Sequence, residues 1–129
     1  MSEARRTAQA ARYSNPPGMS PDGDSATIAA TGSTAADAAA LTARTNLITA
    51  ADGVKGVELP AAADATAVFV LNTSVDAGLN VYPVDGGNDN INALAEDAPF
   101  ILGPGLGAWF ISTSLTQWYV EGSAGIGAG

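Results

Sequence analysis

The sequence predicts an all-β fold: a small antiparallel β-sandwich or barrel, jelly-roll-like, preceded by an extended N-terminal arm. Three observations predict it. Short runs rich in β-branched and aromatic residues recur from Ser25 to Val120. Turn signals separate them: Asp52-Gly53, Asp76-Ala77-Gly78, Asp85-Gly86-Gly87 and Gly103-Pro104-Gly105. This punctuated rhythm is that of antiparallel sandwiches and barrels. Finally, the apolar inventory is thin. Hydrophobic residues make up 47%, but 27 of them are alanine, and Leu, Ile, Val and Phe together number 26 of 129. One modest core is affordable on that inventory, and a second domain is not.

Three segments follow from composition: an arm over residues 1–24, a β body over 25–121 and a Gly-rich tail over 122–129. In the arm, Ala4 to Arg12 favours helix by propensity. Pro16, Pro17 and Pro21, with Gly18 and Gly23, then stop it. The arm has no means of building a core of its own, so it reads either as a disordered tail or as an arm that orders on a partner. Ser33 to Ala40 carries a cap-like Ser/Thr, an early Asp37 and a run of alanines, the signature of a single helical turn.

Strands are expected along the body in sequence. The run Leu41 to Thr49 places Leu41, Ala43, Thr45 and Leu47 at period two. Val54 to Leu59 is ended by Pro60. Thr66 to Leu71 is almost wholly apolar, which predicts burial on both faces. Leu79 to Tyr82 is closed by Pro83, and Ile91 to Leu94 is short. Phe100 to Leu102, Ala108 to Thr113 and Gln117 to Val120 complete the series. No helix longer than two turns is expected between residues 45 and 121. Phe69 and Trp118 are the expected core aromatics.

Functional classes are narrowed by what the chain lacks. It has no His and no Cys, so thiolate chemistry, disulfides, zinc or iron–sulfur ligation and a Ser-His-Asp triad have no residues to use. The longest strongly apolar run, Ala67 to Leu71, is far too short to span a bilayer. Met1 to Arg6 is not followed by the apolar stretch of a secretory signal. Net charge is −8, the wrong sign for a nucleic-acid binder. It is also unevenly placed: residues 1–20 carry +2 and residues 21–129 carry −10. A basic arm thus precedes an acidic body.

Carboxylates are the only candidates for catalysis. Asp85 and Asp89 could in principle act as an acid–base pair, but acids in Gly/Asn-rich turns ordinarily bond their own backbone. The run Asp85 to Asn90 departs from an EF-hand loop, with Gly87 at position three and Asn90 at position six, and offers at most a weak cation site. Gly103 to Gly107 lacks the lysine and following helix of a phosphate loop. Tyr82, Trp109, Trp118 and Tyr119 could stack on sugars, though in a small β domain such residues ordinarily form the core. The expectation is therefore no catalytic residue, no cofactor and no metal.

The body from Thr31 to Tyr119 resembles structural proteins of tailed bacteriophages. The resemblance rests on Ala40-Leu41-Thr42 with Asn46, Gly56-Val57-Glu58-Leu59-Pro60, Val68-Phe69-Val70-Leu71-Asn72, Leu79-Asn80-Val81-Tyr82-Pro83, Gly86-Gly87 with Ile91-Asn92, and Thr116-Gln117-Trp118-Tyr119. Similar β-modules serve as capsid decoration (head-stabilising, or cement) proteins and in head fibres or spikes. The resemblance implies a homotrimer on the outer capsid surface of a virion, with the major capsid protein as partner and neither nucleic acid nor membrane involved. The arm would then attach through Arg5, Arg6, Arg12 and Tyr13, residue types that anchor protein interfaces. Bridging of subunits by the arms would stabilise the head. The alternative is a head fibre, spike or tail component that adheres to host glycans, which exposed aromatics around Trp109 or Trp118 would favour.

Overall fold

A computed structural model describes residues 24–63 and 66–122. The expected arm and tail, except for Asp24 and Gly122, fall outside these residues. So do Arg5, Arg6, Arg12 and Tyr13.

Among the described residues ten strands follow one another: β1 (Ser25–Ala29), β2 (Ala39–Ala40), β3 (Thr45–Thr49), β4 (Gly56–Glu58), β5 (Thr66–Asn72), β6 (Leu79–Tyr82), β7 (Asn90–Ile91), β8 (Phe100–Leu102), β9 (Gly107–Ser112) and β10 (Gln117–Gly122). One 3-10 turn, Ala35–Asp37, lies between β1 and β2. This is the helical turn read from Ser33 to Ala40. It stays short because Asp37 Oδ1 accepts from Ser33 N, Thr34 N and Thr34 Oγ1, all at 2.8–2.9 Å. Those bonds satisfy the turn's first donors, and the chain resumes extended backbone at Ala38.

The strands are all β, but the expected antiparallel sandwich or barrel of jelly-roll type is incorrect. The chain winds as a β-solenoid of about four turns. One sheet has six strands in the order β1-β3-β5-β9-β10-β7, the other four in the order β2-β4-β6-β8. From β1 to β9, successive strands alternate between the sheets, and through β6 each turn brings a strand back beside its predecessor in the same direction. β1, β3 and β5 are parallel, as are β2, β4 and β6. Ser25 and Thr45 are register partners 20 residues apart, and Thr45 and Phe69 are partners 24 apart. Each crossover is long enough for a parallel pair because it contains a strand of the opposite sheet. The direction reverses only near the end: β8 runs antiparallel to β6, and β9 antiparallel to β5. β9 and β10 form a hairpin, and β10 also pairs in parallel with β7.

The turn dipeptides read from the sequence are corners between sheets rather than hairpin loops. At the β3–β4 corner Gly53 takes φ +90°, and Asp52 Oδ1 accepts from Val54 N and Lys55 N at 2.9 and 2.8 Å. At the β5–β6 corner Asn72, fully buried, donates through Nδ2 to Ala77 O, Leu102 O and Gly103 O at 2.8–3.1 Å. Its Oδ1 accepts from Ser74 N at 3.0 Å. This amide ties three segments of backbone together where no strand ladder can.

The core lies between the sheets. Ile48, Val68, Val70, Ile91, Ala108, Phe110 and Trp118 come from the six-stranded sheet, and Val57, Leu79, Val81 and Leu102 from the other. Phe100 and Phe110 meet edge to face across the gap, with centroids 5.8 Å apart. Two expectations about facing are corrected here. In β3 the buried residues are Asn46 and Ile48, not Thr45 and Leu47. Asn46 turns inward because its amide braces backbone, donating to Ala43 O and Phe69 O at 2.8 and 3.2 Å. In β5 only alternate residues are buried: Val68, Val70 and Asn72. Thr66, Ala67, Phe69 and Leu71 are half-buried, and of these Phe69 and Leu71 alternate with the core positions on the opposite face.

Candidate interaction surface

The outward face of the six-stranded sheet is built from alternate residues of strands whose other residues form the core. Register aligns it into rows. Thr45, Phe69, Trp109 and Glu121 stand side by side across β3, β5, β9 and β10. One step along, Leu47 neighbours Leu71, which neighbours Gly107. One step the other way, Ala67 neighbours Ile111, which neighbours Tyr119. Leu47 is 37% exposed and Tyr119 51%, while Phe69, Leu71, Trp109 and Ile111 are half-buried.

Two contacts organise the centre. The Phe69 and Trp109 rings tilt at 59° with centroids 5.3 Å apart, a favourable aromatic geometry. The Arg44 guanidinium carbon lies 5.5 Å from the Trp109 ring centroid, a cation–π contact. Gly107 makes room for these side chains. A Cβ at that position would sit 2.6 Å from Phe69 Cζ and 3.2 Å from Leu71 Cδ1, so the backbone is bare where these side chains lie over it. Beside them runs an open groove of about 590 Å³, lined chiefly by Phe69, Leu71, Leu106, Gly107, Trp109 and Glu121. Among the described residues, Glu121 is the one acidic residue on the strands of this sheet, and Arg44 immediately precedes β3. The other described acids sit in turns, in loops or on β4.

The remaining candidates take structural positions. Trp118 is fully buried, its indole Nε1 without a hydrogen-bond partner. Phe69, expected in the core, instead forms the centre of the outward face. Tyr82 is buried, and its hydroxyl donates to Ser33 O at 3.0 Å. Asp85 and Asp89 do not act as a pair: Asp89 is buried with Oδ2 accepting from Ala62 N at 2.7 Å, whereas Asp85 is exposed and its backbone N–H bonds Glu58 Oε2 at 2.6 Å. Among the described residues no three potential ligands gather around a metal-sized point, and no helix is long and apolar enough to cross a membrane. Sequence reasoning missed this outward face because it assigned the apolar residues of β5 and β9 wholly to a core. The available signal was their continuity: Ala67 to Leu71 and Ala108 to Ile111 are apolar at every position. Compared with known proteins, no family model matches the chain, and no curated protein matches it.

Proposed function

We propose that this chain is a non-catalytic structural protein of a phage virion, one that binds the outer surface of the capsid and stabilises the head by bridging subunits. The observation that carries this reading is the outward face of the six-stranded sheet. It is a broad, nearly charge-free aromatic and aliphatic surface on strands whose other face already forms the core. Apolar surface of this kind marks an interaction site. That face joins copies of the chain to one another, and the basic arm supplies the capsid contact, with Arg5, Arg6, Arg12 and Tyr13 engaging the major capsid protein. The resemblance of the motifs between Thr31 and Tyr119 to structural proteins of tailed bacteriophages is what points to a capsid as the partner.

The test is addition of the purified full chain to capsids that lack it. Saturable binding that raises the temperature of capsid disruption is the expected result. Deletion of residues 1–24 abolishes binding, and replacing Arg5, Arg6 and Arg12 with alanine weakens it and flattens its salt dependence, because the screened charge contribution is removed. Unchanged saturation by the truncated chain would move attachment to the body, and no binding by the full chain would end the reading.

A second reading, a head fibre, spike or tail component adhering to host glycans, is favoured by one observation: the groove beside Phe69 and half-buried Trp109, with exposed Tyr119 on the same face. Titration with oligosaccharides followed by tryptophan fluorescence tests it, since a sugar stacked on Trp109 changes the emission and Trp109→Ala removes the response.

A further inference from the structure

We propose that the outward face of the six-stranded sheet is closed by a second copy of this chain, packed face to face about a two-fold axis that runs parallel to the strands between β5 and β9, a two-copy association in place of the homotrimer that the phage resemblance implies. The register of the strands supports it. Such an axis lays β5 of one copy over β9 of the other, and β3 over β10. Phe69 then opposes the partner's Trp109 in the central row. One step along, Leu71 opposes the partner's Gly107; one step back, Ala67 opposes the partner's Ile111. In the Ala67 row a small side chain meets a large one, and in the Leu71 row the leucine faces the groove beside Gly107, the interdigitation that lets two sheets pack about 10 Å apart. At the flanks, β3 lies over β10, and Arg44 beside Thr45 meets the partner's Glu121. Arg44 and Glu121 are opposite in sign and are brought together by the same axis. A two-fold contact uses one patch twice and must be self-complementary in this way.

Charge explains why a chain of net −8 can self-associate here. On the strands of this sheet Glu121 is the one acidic residue among the described residues, so the acidic turns are kept away from the contact. Leu47 and Tyr119, the most exposed large residues on these strands, stand at the rim, where partial exposure is the norm for an interface.

Sedimentation equilibrium on the full chain, without capsids, tests this independently of virion binding. The expected mass is twice that of the chain. Ile111→Glu should give a monomer whose far-UV circular dichroism is retained, since its side chain points away from the core. The decisive arm uses charge. In Arg44→Glu two carboxylates oppose each other at both flanks, and in Glu121→Arg two guanidinium groups do. Each variant alone should dissociate at least about tenfold more readily, the order expected for like charges brought together. Mixing the two variants one to one should restore association. At one flank the carboxylate introduced at position 44 then meets the guanidinium introduced at position 121. At the other flank the unaltered Arg44 of one variant meets the unaltered Glu121 of the other. Restoration in the mixture cannot come from contacts within one chain. A monomeric wild-type chain at concentrations on the order of 100 micromolar, a three-copy mass, or a mixture that stays monomeric would each overturn the proposal.

Discussion

The two faces of the six-stranded sheet are made by the same strands and have opposite fates. Inward, Ile48, Val68, Val70, Ala108, Phe110 and Trp118 are at most 5% exposed and pack against the four-stranded sheet. Outward, Leu47, Phe69, Leu71, Trp109, Ile111 and Tyr119 are as apolar in composition but only half-covered or exposed. A β-sheet with one solvated face normally alternates apolar with polar residues. Strands β5 and β9 do not alternate, so hydrophobic content alone does not tell which face is the core. What decides it is the presence of a second layer, and among the described residues only one face has one.

The largest expected effect is on the inward face. Trp118→Ala should lower unfolding free energy by about 3–5 kcal/mol, the range for emptying a large buried aromatic site, as read by urea denaturation. If the loss is below about 1 kcal/mol, the two faces do not differ as described. Next comes a polar member of that same face. Asn72→Ala removes a donor that serves three carbonyls and leaves buried acceptors without partners, at a cost of about 2–3 kcal/mol. Asn72→Leu, which restores volume but not the bonds, should not recover it. On the outward face, Trp109→Ala should cost the dilute chain about 1 kcal/mol or less, typical of half-exposed positions, while disrupting association measured at higher concentration. The contrast between Trp118 and Trp109 is the sharpest single comparison.

The smallest expected effect belongs to neither face. Asp37 is held below its ordinary pKa first by the Thr34 N–H and then by that of Ser33; Asp52 is held down first by the Lys55 N–H and then by that of Val54. The folded values lie below the unfolded ones. The stabilisation is therefore complete above the ordinary carboxylate pKa and is lost as pH falls through the lowered values. Both groups are fully exposed, so the acid limb of stability should be shallow. Asp37→Asn and Asp52→Asn should flatten it without altering stability differences among the sheet variants.

How much of this was legible beforehand follows from particular residues. Leu79 to Tyr82 and Phe100 to Leu102 are strands with the expected bounds, because β-branched and aromatic runs closed by Pro83 or Gly103 leave little choice. The pairing direction was not legible. Gly53 and Gly78 mark tight turns equally well whether the chain doubles back in one sheet or crosses to another. Among the described residues only β9 and β10 are consecutive strands paired to each other, and the turn signals read from the sequence all lie elsewhere. The repeat was hidden because its turns differ in length, 20 and then 24 residues between register partners. β3 alternates at period two but in the opposite phase to the one expected, because buried Asn46 carries an amide whose partners, Ala43 O and Phe69 O, are apparent only once the strands are placed. Of the interaction surface, Trp109 and Tyr119 stand out in the sequence as binding aromatics, but nothing local reveals that Phe69 shares their face.

The reversal of chain direction at β8 and β9 has a consequence for how the molecule assembles. Neighbouring parallel turns join residues about twenty positions apart, so each can form as soon as its predecessor exists. β9, in contrast, must return across 40 residues to place Trp109 beside Phe69. Loop closure over such a distance is entropically costly and comes before any contact offsets it. The turns from β1 to β6 can therefore form as a partial template in the order of the chain, while β9 and β10 close it. Until that closure, the β5 edge lies open, and β9 occupies the position another β5-like strand would take. The hairpin is thus a stop: it ends a stacking that parallel pairing alone would leave free to continue into other molecules.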